Sequence, residues 1–398
     1  MKGFRFVQDI PAATYQGAFV LVRLDLNVPM DCVRITDDTR ILAAIPTIQY
    51  LIDRACRVVV ISHLGQPKGV DHALSLAPVA ERLSVLLKKK VVFASDCLGV
   101  ETKNKVEALQ AGEVILLENL RFYSHEVNND LGFSEQLSQY GQFFVQDAFG
   151  TLHRAHASTV GIPHFLPAAV GFLVQKEIQA LKHICEQPKR PFVGIIGGSK
   201  ISSKIGILRH LLGKVDTLVI GGGMAFTFFK AQGYEIGCSL CEVDKVDEAK
   251  KFLEEAAHCA TKVLFPSDHV VADSVEAKEG FRVVATDAIG PQDIGVDIGP
   301  HTVACIANVL SLAKTVIWNG PLGIFENPFF AKGTLAVAQV MAGLDATTVV
   351  GGGDSVAALN QAGLSARVTH ISTGGGASLA FLEGKELPGL VALEQDNG

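Results

Sequence analysis

The sequence lacks a long uninterrupted apolar run. Its longest apolar stretches, such as residues 159–174, are broken by a histidine and two prolines. A membrane span needs about 20 consecutive apolar residues, so we expect no transmembrane helix. The opening residues reach Asp9 and Pro11 before any apolar core of a secretory signal appears. The sequence therefore predicts a cytoplasmic protein with no membrane partner.

An excess of positive charge is also missing. The 35 lysines and arginines face 41 aspartates and glutamates, which gives a net charge of −6 over 398 residues. Nucleic-acid binding depends on a basic field, so we expect no nucleic-acid partner. Any anionic ligand must instead be held by a local cluster of basic side chains.

The eight cysteines lack the spacing of a disulfide framework, which is typical of a reducing compartment. Cys238 and Cys241 form one CxxC sequence. A structural zinc site needs a second ligand pair, and a redox site needs a helix start directly after a strand. The sequence offers neither, so we interpret this pair as incidental.

Neither standard nucleotide fingerprint is present. The chain contains no GxxxxGK[ST] sequence and no GxGxxG sequence followed by an acidic residue about 20 positions later. Their absence disfavours Walker-type ATPases and nicotinamide-dependent dehydrogenases.

Short aliphatic runs, each ending on glycine or a polar residue, recur through both halves of the chain. They begin at Phe19, Val58, Val114, Phe143, Phe192, Thr217, Lys262, Thr315, Thr347 and Thr369. Helix-like windows such as 38–54 and 76–87 lie between them, and this alternation is typical of parallel sheets. We predict an α/β protein of two lobes, each a parallel sheet flanked by helices in a Rossmann-like, three-layer arrangement.

Proline pairs near Pro163 and Pro191 mark the expected boundary between the lobes. The apolar and charged residues between them predict a hinge helix over about 173–186. The expected lobes are therefore residues 1–172 and residues 173–379.

The strand ends of the first half carry charge. The residues are Arg23, Asp25, Asn27, His63, Arg121, Asp147, His153, Arg154 and His156, together with Arg40 at a predicted helix start. The carboxyl ends of parallel strands meet at one edge, and the planar arginine fork suits phosphate or carboxylate. These residues predict a pocket for a small, multiply charged anion. In the alternative interpretation each arginine pairs with a local acid, as Arg121 with Glu118 or Arg154 with Asp147.

The strand ends of the second half carry glycine instead. The turns are Gly197–Gly198, Gly221–Gly223, Gly320 with Gly323, Gly351–Gly353 and Gly374–Gly376. A glycine turn that leads into a helix lets phosphate oxygens approach backbone N–H groups. Glycine also serves simply to pack a strand against a helix, and for any single turn both interpretations remain open.

Polar residues accompany two of these turns. GGSKISSK sets Lys200 and Lys204 four residues apart at a predicted helix start, hence on one helical face. GGGDS places Asp354 and Ser355 at another predicted helix N-terminus. Asp354 is either an N-cap or a ligand of Mg²⁺ beside phosphates.

An anion pocket in one lobe and a phosphate-cradling pocket in the other predict transfer of a phosphoryl group between two substrates. The loose transition state of this reaction requires positioning and positive charge more than covalent chemistry. No obvious catalytic base is present, which is consistent with an acceptor that is already ionised.

Nine sequence blocks appear in the order found in the phosphoglycerate kinase family, which the chain resembles over nearly its whole length. They are VRLDLNVP, DDTR, SHLG, ENLRF, QDAFGTLHRAHAS, GGSKISSK, WNGPLGIFE, GGGDS and STGGGASLAFLEGKELPG. The resemblance implies reversible phosphoryl transfer in glycolysis between 1,3-bisphosphoglycerate and ADP, giving 3-phosphoglycerate and ATP. It also implies a hinge-bending enzyme, a monomer, and a C-terminal tail, residues 380–398, that returns to the first lobe.

The same resemblance implies roles for individual residues. The 3-phosphoglycerate site would comprise Asp25, Asn27, Arg40, His63, Gly65, Gln66, Arg121 and Arg154. The nucleotide site would comprise Gly198, Ser199, Lys200, Lys204, Gly320, Glu326, Gly352, Gly353, Asp354 and Ser355. Asp354 would bind Mg²⁺ with the nucleotide phosphates, and Glu326 would bind the ribose. Arg40, Lys200, Gly374 and Gly375 would stabilise the transferring phosphoryl group.

The main departure from the family pattern is Gln66, since SHLG is commonly followed there by an arginine. Glutamine is neutral, so the sequence predicts weaker binding of 3-phosphoglycerate. A catalytically inactive binding protein on the same fold would be expected to lose Lys200, Lys204, Asp354 or Arg40. All four are present.

Overall fold

The computed structural model describes residues 3–394, and the chain divides into two compact units. The first unit extends to Gln179 and includes the chain again from Glu386, whereas the second unit is Ala180–Lys385. The lobe limits expected from the sequence, residues 172 and 379, remain predictions. Residues 1–2 of the expected first lobe and residues 395–398 of the expected tail lie outside the described residues.

The first unit is built on a six-stranded sheet in which all neighbouring strands are parallel. From edge to edge the strands are Val91–Phe93, Val114–Leu116, Arg57–Ile61, Phe19–Leu24, Phe143–Asp147 and Ala168–Val170. The central strand is buried from Val20 to Leu24, as expected for a parallel strand covered on both faces. A short antiparallel hairpin joins Met30–Asp31 to Arg34–Ile35.

Helices flank this sheet, as the sequence predicted. They are Ala12–Tyr15, Thr39–Ile52, Ala77–Leu87, Val100–Glu107, Ser124–Val127, Leu131–Ser138 and Pro388–Val391. Thr39–Ile52 buries Ile41, Ala44, Ile48 and Leu51, whose spacing of three or four residues gives the helix one apolar face. That face joins the core formed by the sheet. Two predicted helical windows, 38–54 and 76–87, are thereby confirmed to within two residues at each end.

The second unit repeats the plan with another six-stranded parallel sheet. Its strands, in spatial order, are Lys262–Leu264, Thr217–Ile220, Phe192–Ile196, Thr315–Asn319, Thr347–Gly351 and His370–Ile371. The flanking helices are Ile205–Leu211, Ala225–Ala231, Val246–Ala257, Pro300–Ser311, Lys332–Ala342, Gly353–Gln361 and Gly376–Leu382. Trp318, Val316 and Val193 lie in its main core. All six strands predicted for this half are confirmed.

The sequence did not predict the three-stranded antiparallel sheet of the second unit. Asp268–Ala272 lies at its centre, between Arg282–Ala285 and Ile294–Ile298. Ala272, Val296 and Phe330 form a small core of their own beside it. Arg282–Ala285 was missed because it is largely exposed, and the other two runs each include an aspartate, Asp268 or Asp297, that breaks the continuous apolar character typical of the parallel strands.

Phe172–Glu186 is a continuous helix that begins in the first unit and ends in the second. Its start is held by the buried Asp147 carboxylate, which accepts hydrogen bonds from the Leu173 and Val174 amides at 2.8 and 3.1 Å. After Glu386 the chain returns to the first unit, where the Gly389 amide donates to the Leu152 carbonyl at 3.0 Å. Among the described residues no helix has the length and apolar character that crossing a membrane requires.

Candidate functional site

The charged residues of the first unit meet at the carboxyl edge of its parallel sheet. Asp25 and Asn27 follow the central strand, and His63 follows the adjacent strand Arg57–Ile61. Arg121 lies in the 3₁₀ turn Leu120–Phe122, which follows the strand Val114–Leu116 on the other side of Arg57–Ile61. Neighbouring parallel strands end at the same edge, which is where open α/β sheets bind ligands.

Asp25 and Asn27 orient their neighbours. Arg40, in the first turn of Thr39–Ile52, donates through Nη1 to both Asp25 carboxylate oxygens at 3.0 and 3.1 Å. The same nitrogen donates to the Asn27 carbonyl at 3.1 Å. The Asn27 side-chain oxygen accepts the Gly65 amide at 2.8 Å, which fixes the loop after His63. These hydrogen bonds hold the Arg40 guanidinium and the loop at Gly65 at the carboxyl end of the central strand.

Arg121 and Arg154 bring further positive charge to this edge. Arg121 is buried, donates to the Gly65 carbonyl at 2.6 Å, and has an Nε without a partner among the described residues. Burial, followed by the nearby Arg23 and Arg154, lowers the Arg121 pKa to about 10, so the side chain stays cationic at neutral pH. Arg154 is exposed and donates from Nε to His153 Nε2 at 3.1 Å.

The local acid pairs considered from the sequence are not formed. Glu118 accepts hydrogen bonds from the Ser75 hydroxyl at 2.7 Å and the Leu76 amide at 2.8 Å, away from Arg121. Asp147 caps the helix Phe172–Glu186 and does not pair with Arg154. Sequence reasoning was therefore wrong to place Asp147 among the pocket candidates, and Arg121 and Arg154 remain available to an anion.

Arg23 determines the proton position on His63. This fully buried guanidinium donates to Ser158 Oγ at 2.8 Å and to His63 Nδ1 at 3.0 Å. Arginine cannot accept a hydrogen bond, so Nδ1 is the acceptor and the imidazole proton is on Nε2. The Ser158 hydroxyl in turn donates a hydrogen bond to the buried Glu126 carboxylate at 2.6 Å.

His63 is also neutral. Burial, then the charges of Arg23, Arg121 and Arg40, hold its pKa well below its ordinary value. The imidazole therefore offers an N–H donor to an anion without adding a titratable charge. Gln66, three residues further on, is exposed.

The glycine turns of the second unit are of two kinds. A Cβ on Gly197 would lie 2.1 Å from the Pro321 carbonyl oxygen, and one on Gly222 would lie 2.6 Å from that of Gly198. A Cβ on Gly320 would lie 2.2 Å from the Gly197 oxygen. These three glycines allow the backbones at three adjacent strand ends to touch, so for them the packing interpretation is confirmed.

The remaining glycine turns face more open space. A Cβ on Gly352 would contact the Asn319 amide at 3.1 Å, whereas Gly353 and Gly375 have no neighbour within 4 Å. Gly198 has a φ of +118°, and its nearest such neighbour is a carbon of the Lys204 side chain. Gly375 is the N-cap of Gly376–Leu382, and the Gly374 amide donates to Ser372 Oγ. Phosphate oxygens can approach these backbones closely.

The two lysines do not share a helical face, contrary to the sequence prediction. Ile201–Ser203 forms a 3₁₀ turn between them, and the α-helix begins only at Ile205. Lys200 is therefore in extended backbone and exposed, whereas Lys204 is half-buried. Each lysine reaches its position independently of the other.

Lys204 points to the end of the central strand. Its ammonium donates to Asn319 Oδ1, and the Asn319 amide nitrogen is buried without a partner among the described residues. Burial lowers the pKa of Lys204, while the charges of Asp354 and Glu383 oppose the shift. Sequence reasoning did not select Asn319, although its place at the carboxyl end of a central strand is a signal for it.

Asp354 and Ser355 lie in the first turn of the helix Gly353–Gln361 and have different roles. The Ser355 hydroxyl is buried and accepts the Gly320 amide at 2.6 Å, so it fixes that turn. Asp354 makes no capping hydrogen bond, because the N-cap position is Gly352. The carboxylate is exposed and lines a cleft, which leaves it available to a cation.

That cleft has a volume of about 370 Å³, within the range of small-ligand sites. Gly198, Ser199 and Asp354 lie on its polar side, and Glu326 is also in its lining. Its apolar wall is formed by Phe226, Leu240, Val275, Ile294, Leu322 and Ile324. An apolar wall beside glycine turns and carboxylates suits a nucleotide. The sequence did not predict this wall because its residues come from distant segments.

An arginine-rich anion site on one parallel sheet and a glycine-lined cleft with lysines on a second define a phosphotransferase of two units. The family model described as phosphoglycerate kinase matches residues 8–385. The chain belongs to the phosphoglycerate kinase family, and it is an enzyme of the kinase class.

Several named relatives agree with this assignment. A phosphoglycerate kinase of Moorella thermoacetica is 54% identical over 94% of this chain and 96% of its own length. The cytosolic phosphoglycerate kinase of Triticum aestivum is 50% identical over 98% of this chain and 99% of its own length. The phosphoglycerate kinase structure from Coxiella burnetii superposes with a TM-score of 0.89 at 41% identity, covering 98% of this chain and 99% of that one. The structure from Pyrococcus horikoshii gives a TM-score of 0.87 at 33% identity, covering 98% of each chain.

Proposed function

We propose that this protein catalyses reversible phosphoryl transfer between 1,3-bisphosphoglycerate and ADP, giving 3-phosphoglycerate and ATP in glycolysis. The observation that carries the proposal is the cluster of Arg40, Arg121 and Arg154 beside the neutral His63 at one sheet edge. Two of these arginines, Arg121 and Arg154, form no salt bridge with the residues that the structure describes. They can therefore bind a ligand that carries both a phosphate and a carboxylate.

The acid substrate would be held by the first unit. Arg121 and Arg154 would take the phosphate, and Arg40 would take the end that receives the transferred group. His63 would donate its Nε2 proton to the ligand. Asp25, Asn27 and Gly65 would act mainly by orienting these side chains, in line with their hydrogen bonds to Arg40 and to each other. Gln66 would supply a neutral contact.

The nucleotide would occupy the cleft of the second unit. Its base would lie against the apolar wall, and Glu326 would accept hydrogen bonds from the ribose. The phosphates would reach the backbone and side chains of Gly198, Ser199, Lys200, Lys204, Gly352 and Gly353. Lys204 and the unpartnered Asn319 amide would meet them at the strand end. Gly320 and Ser355, which hydrogen-bond to each other, would contribute to the nucleotide site by shaping its wall.

Asp354 suits a magnesium ion that arrives with the nucleotide. The described residues contain no cluster of three potential metal ligands, so they would not hold the ion alone. Magnesium commonly takes one or two carboxylates and completes its shell with phosphates and water. One exposed carboxylate at the helix start fits that pattern, and the ion would neutralise charge on the phosphates.

The transfer itself would require no general base. The attacking carboxylate of 3-phosphoglycerate, or the β-phosphate of ADP in the reverse direction, is ionised at neutral pH. Arg40, Lys200 and the N–H groups at Gly374 and Gly375 would stabilise the charge on the transferring group. The substrates would have to be enclosed, because excluding water from the transferring group prevents its hydrolysis. We further propose that the protein acts in the cytoplasm as a monomer.

The test is a coupled assay of phosphoryl transfer from MgATP to 3-phosphoglycerate, followed as NADH loss through glyceraldehyde-phosphate dehydrogenase. We expect activity in the protein and its near-complete loss in Lys200→Ala. Lys250→Ala is the matched control, because Lys250 is an exposed lysine on the helix Val246–Ala257 and pairs with the exposed Asp247 at 3.8 Å. A folded protein that binds MgATP but leaves 3-phosphoglycerate unchanged would contradict the proposal.

A further inference from the structure

The turn that carries Lys200 is held by a carboxylate outside it. Glu242 accepts the Ser202 hydroxyl through Oε1 at 2.6 Å and the Ser202 amide through Oε2 at 3.0 Å. Within the turn, Ser203 Oγ donates to the Lys200 carbonyl at 2.9 Å. Both carboxylate oxygens therefore accept hydrogen bonds from Ser202, the middle residue of the three that separate Lys200 from Lys204.

Glu242 is itself held in place. Its amide donates to the buried Thr227 hydroxyl at 3.1 Å, which ties it to the helix Ala225–Ala231. Earlier in the same loop, Ser239 Oγ accepts the Gly295 amide at 2.9 Å. The segment 237–242 is thus anchored to a helix and to a strand, so Glu242 can fix the position of a turn that lies on the surface.

The charge of Glu242 suits this task. Burial alone would raise its pKa, but hydrogen bonds from the Ser202 hydroxyl and amide, with the positive charge of Lys200, outweigh burial and lower it. The carboxylate is ionised at neutral pH and provides a charge-assisted acceptor to both donors, which is stronger than a neutral one.

We propose that Glu242 is a positioning residue for Lys200, fixing the turn Ile201–Ser203 so that the lysine ammonium meets the transferring phosphoryl group. This inference rests on the proposed function, because Lys200 has that role only if the protein transfers phosphate. Glu242 itself touches neither substrate in this assignment. It acts on the rate of transfer through the backbone that precedes Lys204 and follows Lys200.

The same loop also reaches the nucleotide cleft. Leu240, two residues before Glu242, lies on the apolar wall of the cleft. A Cβ on Gly223 would contact both Leu240 and Ser199, so the loop and the lysine segment share a neighbour. The loop that carries Glu242 therefore lies beside both the nucleotide cleft and the turn that carries Lys200.

The experiment compares Glu242→Gln with Glu248→Gln in the coupled assay. Glutamine has the same shape as glutamate but is neutral and keeps only one acceptor oxygen. The variant therefore loses the charge-assisted hydrogen bonds from Ser202. We expect kcat to fall about tenfold in Glu242→Gln, with the KM for 3-phosphoglycerate unchanged and the melting temperature close to that of the parent. Glu248 lies on the helix Val246–Ala257 and pairs with Arg209 and Lys245 rather than with the turn that carries Lys200, so its variant should match the parent.

A second measurement does not depend on activity. Hydrogen exchange of the Ser202 amide should be at least about tenfold faster in Glu242→Gln than in the parent, and unchanged in Glu248→Gln. Faster exchange with an unaltered kcat would overturn the positioning role while leaving the proposed function intact. Unaltered exchange would overturn it whatever the activity. If the parent protein has no transfer activity, the proposed function fails, and with it the role of Glu242 in transfer.

Discussion

Arg23 shows how a single buried charge can define a binding site without touching the ligand. Its bond to His63 Nδ1 fixes the tautomer of that imidazole, and its charge adds to burial in lowering the pKa that keeps the imidazole neutral. The sequence placed Arg23 at a strand end with the other charged residues. It could not separate the arginine that faces inward from those that face the ligand, because that depends on Ser158 and Glu126, more than a hundred residues later.

Gln66 is expected to limit the affinity for 3-phosphoglycerate. Replacing it by arginine, Gln66→Arg, should strengthen binding by roughly 1.5–3 kcal/mol if the guanidinium fully engages the ligand phosphate. The KM for 3-phosphoglycerate should then fall about tenfold or more. Steady-state kinetics at saturating MgATP would measure this change.

The matched control for that variant is Gln110→Arg. Gln110 is exposed and precedes the strand Val114–Leu116, at the amino end of the sheet, away from the anion site. It should raise the net charge equally and leave the KM unaltered. An unchanged KM in Gln66→Arg as well would show that position 66 does not reach the ligand.

His269 is expected to make stability depend on pH. Burial lowers its pKa to about 4, whereas an unfolded histidine titrates near 6.5. Because the unfolded state binds the proton more tightly, the stability that the neutral histidine contributes is present above about pH 6.5. It is lost as the pH falls towards 4, by up to about 3 kcal/mol.

His269→Phe isolates this effect, since phenylalanine keeps the packing against Phe226 and Phe229. Denaturant unfolding of both proteins should show that lowering the pH from 7 to 4 shifts the difference in unfolding free energy in favour of the variant. Asp297 and Asp147, whose burial raises their pKa to about 7 and about 6, shift stability in the opposite direction. They are common to both proteins, so their contributions cancel. A constant difference across this range would contradict the prediction.

At the scale of elements, the sequence predicted the recurring aliphatic strands but missed edge strands and the turn between the two lysines. All ten predicted strands exist, because each is marked by an aliphatic run and most of these runs are buried on both faces. The strands Val91–Phe93 and Ala168–Val170, which form the two edges of the first sheet and are partly exposed, were not predicted. Lys200 and Lys204 were expected on one helical face, but a 3₁₀ turn held by the distant Glu242 replaces the first helical turn. Such long-range contacts leave no mark in local sequence.

The two kinds of glycine turn should respond differently to alanine. Gly222→Ala should lower the free energy of unfolding by about 2 kcal/mol or more, because φ is +71° and the methyl would lie 2.6 Å from the Gly198 carbonyl oxygen. Gly353→Ala should leave stability within about 1 kcal/mol, since nothing lies within 4 Å. Its methyl should instead raise the KM for ATP by obstructing the phosphates.

Unfolding curves and nucleotide kinetics on both variants would measure this contrast. Equal losses of stability would mean that Gly353 is also a packing glycine. An unchanged KM for ATP in Gly353→Ala would remove that residue from the proposed nucleotide site.

For the whole molecule, the helix Phe172–Glu186 provides a continuous connection between the two units. Phosphoryl transfer requires the two substrates to meet with water excluded, so we expect the lobes to close when both are bound. Small-angle scattering should therefore give a smaller radius of gyration with 3-phosphoglycerate and a nucleotide together than with either alone. The same radius in all states would exclude closure as part of the mechanism.

The return of the chain after Glu386 has a consequence for biosynthesis. Phe4 pairs with Glu394 and Gly389 bonds to Leu152, so contacts of the first unit join the earliest and latest segments of the described chain. On a ribosome, Ala180–Lys385 emerges before the segment that completes the unit begun earlier. The unit that is encoded later can thus finish folding first. The first unit cannot form its contacts with the returning segment until the end of synthesis, and until then its incomplete core must be protected from aggregation.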